Sequence, residues 1–397
     1  MKKTLLFALV LGLAVMFAVP AFAFKIESGK DTTFYFGALI LTDLGAWSRD
    51  ADLVKTNTGR GGATDRTELI LNVPRHSRLR GVLEVGSVGG YWELGLGGDN
   101  QLGNAGNPQF PGNAYNVETR KFYGYYKFGN CTLLAGKTDG HFFSVVPAQN
   151  LGFDTNNHVL GFGWGSIYDG RTTQVRFSQD VSKTFGYDIS FVQPVYYTEL
   201  AGTALANQSM GTLPMTALKL RMNFGAVSLM PAGVVQYVKW NDLPGNADDN
   251  MTAWAVMLPV VVKAGAFTGT FQALYGQNLG GGPLGLQSSF WSYKRNQDLA
   301  IKNSTGWNGF MDLAFTAGAV TPHFYLGYDY VENDLFVGSD KNNMRSMYGV
   351  SVNWKIADSF YIAPEFTFYD YGKDPTKINN PSIGKEWLGG VQFQFVF

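Results

Sequence analysis

The sequence is short of several things, and each shortage closes a class of function. It has one cysteine, Cys131, so it can form no internal disulfide and has no thiolate cluster for zinc. Its four histidines, His76, His141, His158 and His323, show no metal-ligand spacing. Charged residues make up only 16% of the chain, and 31 basic residues balance 31 acidic ones. That balance gives no footprint for binding nucleic acid or another polyanion. No stretch beyond the amino terminus reaches eighteen uninterrupted apolar residues, so no transmembrane helix is expected. Gly136-Lys137-Thr138 lacks the first glycine of a phosphate-binding loop, because Cys131 stands there. Gly161-Phe162-Gly163 lacks the rest of a dinucleotide fingerprint. No serine, histidine and acid share a spacing that would select a nucleophile, so an enzyme is the least supported reading. No cofactor or metal site is expected.

Aromatic residues, at 15%, and glycine, at 49 residues, are abundant. The amino terminus reads as a secretory leader over residues 1–23. Lys2 and Lys3 precede an apolar run from Leu5 to Val19, and Ala21-Phe22-Ala23 offers small residues for cleavage. The expected mature chain is 24–397.

That chain repeats one pattern. In Lys385–Phe397, Trp387, Val391, Phe393, Phe395 and Phe397 fall on one parity, and Glu386, Gln392 and Gln394 on the other. A strand sends alternate side chains to opposite faces. An aromatic face backed by a polar one suits a wall between lipid and water. Sixteen stretches are expected as such strands: 33–42, 66–73, 78–87, 117–128, 131–138, 171–179, 184–193, 213–224, 227–239, 251–263, 266–277, 306–316, 320–330, 344–355, 359–370 and 385–397. Two of them, 227–239 and 251–263, are apolar on both faces and read less cleanly. Short joins such as Pro74–Ser77, Gly129-Asn130 and Ala264-Gly265 alternate with long ones such as 88–116, 139–170 and 278–305. The expected fold is therefore all-β: a transmembrane antiparallel β-barrel of about 16 strands with short periplasmic turns and long extracellular loops. It fills the mature chain as a single domain.

Placing the polar parity inside puts Arg66, Arg78, Arg80, Arg120, Lys137 and Arg176 on the lumen wall of the early strands. Inward acids are expected at Glu68, Glu84, Glu118, Asp188, Asp312, Asp329, Glu365 and Glu386. The early strands hold more bases than acids, which suggests a basic strip. In the same placement, Tyr123 and Tyr125 oppose Glu118 and Arg120 and so face outward. The longest loop, 139–170, carries Asp139, Phe142, Phe143, Phe153, Asp154, Trp164 and Asp169. A loop this apolar should pack against something rather than stand in water. The lumen is one place for it; the outer mouth or a neighbouring subunit is another.

Signal segment, sixteen alternating stretches, short–long joins and terminal Phe397 together resemble the sixteen-stranded general porins of Gram-negative outer membranes. The resemblance implies residence in outer-membrane lipid, a homotrimer, and passive passage of small hydrophilic solutes and ions. It implies that loop 139–170 folds inward as a constriction, with Asp154, Asp139 or Asp169 facing Arg78, Arg80 and Arg120. This loop lacks the dense acidic run of the best-known members, so strong cation selectivity is not expected. A substrate-selective channel for sugars or small anions is the alternative.

Overall fold

The computed structural model describes residues 24–27, 31–50, 66–74, 76–96, 117–140, 145–151, 165, 171–193, 209–211, 213–240, 248–280, 294–295 and 300–397. Its wall consists of sixteen antiparallel strands. They are β1 (Thr32–Arg49), β2 (Arg66–Asn72 continued by Arg78–Val85), β3 (Val88–Gly95), β4 (Glu118–Phe128), β5 (Cys131–Asp139), β6 (Arg171–Asp180), β7 (Phe185–Val192) and β8 (Ser209–Gly211 continued by Met215–Asn223). There follow β9 (Val227–Leu229 continued by Ala232–Trp240), β10 (Asn250–Ala264), β11 (Phe267–Gln277), β12 (Thr305–Phe315), β13 (Val320–Glu332), β14 (Asn342–Ala357), β15 (Phe360–Asp370) and β16 (Lys385–Val396). Each pairs with its sequence neighbour, and β16 pairs with β1 from Leu39↔Val396 to Arg49↔Glu386. Closure leaves no free edge, as a wall without water to satisfy its backbone requires. The seam ends on reciprocal bonds between Ala38 and Phe397, at 2.9 and 2.8 Å. A short strand, Phe24–Glu27, continues along the same edge of β1 beyond Phe397.

The number of strands matches the sequence reading; the first strand runs on to Arg49 past the expected 33–42, and the expected boundaries change most at one place. Residues 66–73 and 78–87 were expected as two strands turned at Pro74–Ser77, with 88–116 as a loop. Both segments instead pair with β1, Asp43↔Asn72 above and Leu39↔Arg78 below, as one strand with a bulge. The real turn is Gly86-Ser87, where Gly86 takes φ +57°, and β3 follows it. At the bulge the ladder on β1 would be broken at Leu41. The Ser77 hydroxyl repairs it, accepting from Leu41 N at 3.0 Å and donating to Leu41 O at 3.3 Å. Proline therefore marks a bulge here, one of the places a wall strand tolerates it. Pro231 likewise interrupts β9 without turning the chain.

The outer surface is the apolar one. Leu69, Leu71, Val256, Leu258, Trp307 and Phe366 are all exposed there. Aromatic rings stack across neighbouring strands on this face: Trp307 with Tyr328 at 4.8 Å, Tyr348 with Phe368 at 5.0 Å, and Phe366 with Trp387 at 5.9 Å. So large an apolar exterior belongs in a bilayer.

The interior is not uniform. On β8–β11 the inward parity holds Met215, Ala217, Val234, Val238, Ala253, Ala255, Met257 and Leu274, all buried in one apolar cluster. This explains why 227–239 and 251–263 read as apolar on both faces: one face meets lipid and the other is packed dry. A second interior cluster unites Trp47, Tyr325, Met347, Tyr369 and Leu388 with Leu151, which comes from the loop between β5 and β6.

Candidate functional site: the lumen between a basic wall and a docked loop

The basic wall is built on β2–β6. One register row crosses it as Gly37↔Arg80↔Glu93↔Lys121, and the next row, two residues along each strand, as Tyr35↔Val82↔Tyr91↔Tyr123. A third row holds Glu84, Tyr125, Leu134 and Arg176. The expectation that Tyr123 and Tyr125 face outward is therefore corrected. The register shifts between Glu93 and Leu94, and Arg120 is the extra residue on β4. A bulge sends two consecutive residues toward one side. Arg120 and Lys121 both serve the lumen, and the parity beyond them reverses, bringing Tyr123, Tyr125 and Lys127 inside.

Glu93, which the sequence reading left in a loop, organises this wall. Its carboxylate accepts from Arg120 Nε at 2.8 Å and from Tyr91 OH at 3.0 Å, with Arg78 Nε at 3.7 Å. The Arg120 and Glu93 side chains are only 1% and 3% exposed, so this ion pair is a buried structural tie. Glu118 adds a second contact to Arg120 at 3.5 Å. Lys121 pairs with Asp139, which also meets Arg171 at 3.3 Å. Arg176 donates to the Gln174 amide oxygen at 2.7 Å and to the Asp139 carbonyl at 2.9 Å. Arg80 is exposed to the lumen, and among the described residues no acid pairs with it. Tyr91 and Tyr123 stack at 5.2 Å and 17°, and Lys127 lies 5.0 Å over the Tyr125 ring. Opposite Tyr125 on β3 stands Gly89, where a Cβ would strike the tyrosine ring.

Lys137 departs from the expected lumen position. It pairs in register with Phe122 and Thr173 on the outward parity, and its ammonium donates to the Thr119 carbonyl at 2.8 Å. A lysine near a barrel rim can bury its stem on an apolar face and lift its charge to a polar group. Arg66 lies on β2 in register with Arg49; its side chain lies outside the described residues. So do Phe142, Phe143, Phe153, Asp154, Trp164 and Asp169.

Residues 145–151 leave β5 and lie against the inner face of β12–β16, across the lumen from the basic wall. Ala148 N donates to Asp312 Oδ2 at 2.5 Å, and Ala148 O accepts from Ser351 Oγ at 2.6 Å. Asn150 N and Leu151 N converge on Glu365 Oε2, the latter at 3.0 Å, and Asn150 O accepts from Gln392 Nε2 at 2.5 Å. Farther along, Gly165 N donates to Asp329 Oδ1 at 2.9 Å. Gly165 lies so close to the wall, at φ +73°, that a Cβ would run into the Gly309 carbonyl. Each anchoring carboxylate is itself held: Asp312 by His323 Nδ1 at 2.9 Å, Glu365 by Thr367 Oγ1 at 3.0 Å, and Asp329 by Arg345. The parity of the sequence marks these acids as inward. Nothing in it shows that their partners are loop amides, because a backbone N–H has no signature. Among the described residues, no group of three or more metal-ligating side chains occurs.

Neither a protein-family model nor a curated protein matches the sequence. Solved structures do match in shape. The outer membrane channel DcaP of Acinetobacter baumannii superposes with a TM-score of 0.67 at 16% identity, over 94% of this chain and 99% of that one. The fold is that of the porins. An anion-selective porin from Comamonas acidovorans gives a TM-score of 0.57 at 10% identity, over 92% of this chain and all of that one (100%). The OmpF porin of Salmonella typhi gives 0.56 at 10% identity, over 94% and 100%. These identities speak for the porin fold alone.

Proposed function

We propose that this protein is a passive diffusion pore of a Gram-negative outer membrane, open to small hydrophilic solutes and ions and weakly selective for anions. The observation that carries this reading is the pairing of a basic wall with a loop seated against the opposite wall. Water is left a route along β2–β6, where the described lumenal bases Arg78, Arg80, Arg120, Lys121, Lys127 and Arg176 outnumber the acids Glu84, Glu93 and Glu118 by six to three. A surplus of fixed positive charge in a narrow low-dielectric passage enriches anions. The Comamonas acidovorans porin, which is anion-selective, agrees with that sign. In this reading loop 139–170 is the constriction, residues 1–23 are removed as a leader, the barrel assembles as a homotrimer, and no catalysis takes place.

Planar-bilayer recording tests the proposal. Purified protein should conduct in KCl, and under a salt gradient the reversal potential should take the sign of chloride preference. Insertion without conductance, or a clear cation preference, would overturn it. Crosslinking in detergent should give trimers, and the intact mass should correspond to a chain starting at Phe24.

A further inference from the structure

We propose that the tyrosine row of the basic wall is a binding subsite for aromatic carboxylates, which stack on Tyr91 and Tyr123 while their acid group meets Arg80. The proposal rests on the pore reading above and names a class of solute for it.

Three observations carry it. First, Tyr35, Tyr91 and Tyr123 form one row on the lumen side, and Tyr91 and Tyr123 already stack, at 5.2 Å and 17°. Near-parallel rings present a flat π surface, which accepts another ring more readily than a sugar-free aliphatic chain. Second, the neighbouring row holds Arg80 and Lys121, one two-residue step along the strands. With β2 one strand spacing from Tyr91, the diagonal from Tyr91 to Arg80 is about 8 Å, which an aromatic ring and the hydrogen bond from its carboxylate to a long guanidinium side chain can span. Third, the charges of this wall are not equally available. Glu93 is occupied by Arg120 and Tyr91, and Lys121 by Asp139. Arg80 is exposed, and among the described residues no acid forms an ion pair with it, since Glu93 across the strand is taken by Arg120 and Tyr91. A planar guanidinium is the base best shaped to take a carboxylate with two hydrogen bonds. The tyrosine hydroxyls that could turn to a sugar are partly committed: Tyr91 OH donates to Glu93, and Tyr125 OH to Glu84 at 2.5 Å. Ring faces and one free guanidinium remain, and those select a flat anion.

The test uses single channels of the full-length mature protein in KCl, with benzoate, cyclohexanecarboxylate or acetate added to one side. All three carry the same charge, the first two are similar in size, and only benzoate has a π face. Benzoate should block the chloride current in resolvable events, with affinity about three- to tenfold above cyclohexanecarboxylate, and acetate should block least. Equal block by benzoate and cyclohexanecarboxylate in a conducting channel would overturn the stacking subsite and leave the pore reading standing; absence of any conductance would overturn the pore reading first. Tyr123→Leu should remove the preference for benzoate and Tyr123→Phe should restore it. Arg80→Gln should weaken block by both ring acids together, and an unchanged block would remove Arg80 from the subsite. Should a variant fail to insert, the comparison of the three acids on the unmodified channel still decides the matter.

Discussion

Strands β4 and β10 carry the same mechanical load, each spanning the wall and pairing on both edges, yet their inner faces are opposites. The inner face of β4 shows Lys121, Tyr123, Tyr125 and Lys127, all open at least in part to the lumen. That of β10 shows Met251, Ala253, Ala255 and Met257, all buried. A bilayer constrains only the outside of a barrel; the inside is free to differ around its circumference. Under the proposed pore reading the difference marks where water would run: a face of small apolar side chains closed to solvent offers no conducting surface, which leaves conduction to the charged side.

The largest effect that would break this comparison is a charge placed in the dry half. Ala255→Asp should cost about 3–5 kcal/mol, as an unpaired buried charge does, and the folded barrel should be lost in urea titration or on heat-modifiable gels. Arg120→Glu should fall in the same range despite lying in the charged half, because it leaves two carboxylates facing each other in a buried tie with Glu93. Next comes the loop's seat. Glu365→Ala removes the acceptor of two loop amides, and each lost charge-assisted bond is worth about 1.5–3 kcal/mol. The loop should detach from β15, and single-channel conductance should rise and become noisier. Arg80→Glu should leave stability within about 0.5 kcal/mol yet shift the reversal potential toward cations. A matching loss of stability would show that this arginine, like Arg120, is structural.

The smallest effect lies outside the lumen, in the joins after β13 and β15. Asp374 is partly buried, which alone would raise its carboxyl. The hydroxyl and amide of Thr376 and the Lys377 ammonium outweigh burial and hold it below the usual range. Asp340 is held low by Asn380 and Lys373. A depressed carboxylate contributes stability that is full above its unfolded value and is lost as pH falls through its folded one. These joins should resist protease at pH 7 and be cut below the ordinary carboxylate range, and Asp374→Asn should be cut sooner at both.

Much of the fold was legible because a barrel writes itself as alternation, and alternation in 306–316, 344–355 and 385–397 needs nothing from elsewhere in the chain. Legibility failed where one residue acts on backbone geometry. Pro74–Ser77 looks like a turn until Ser77 is seen repairing the ladder at Leu41. The extra residue at Arg120 reverses every parity after it on β4, and no local feature of Glu118–Phe128 announces that. Lys137 was misplaced because polarity was equated with the lumen, whereas a long cation near the rim can sit on the lipid face and still reach a carbonyl. The bases Arg78, Arg80 and Arg176 needed only parity. The loop's seat needed the folded chain, since its contacts join residues more than 160 positions apart, such as Ala148 to Asp312 and Gly165 to Asp329.

The way that seat is made has a consequence for how such a protein can be altered. The wall grips main-chain atoms of Ala148, Asn150, Leu151 and Gly165, and only Leu151 among them contributes a side chain to the buried cluster. Beyond Leu151, the Gln149 amide that reaches the Tyr369 hydroxyl, the Asn150 side chain beside Gln394 and the absent Cβ at Gly165, the fastening asks little of what the loop spells. New side chains could be grafted between the fixed points, as a cartridge is changed in its holder, and the passage given another filter without rebuilding the barrel.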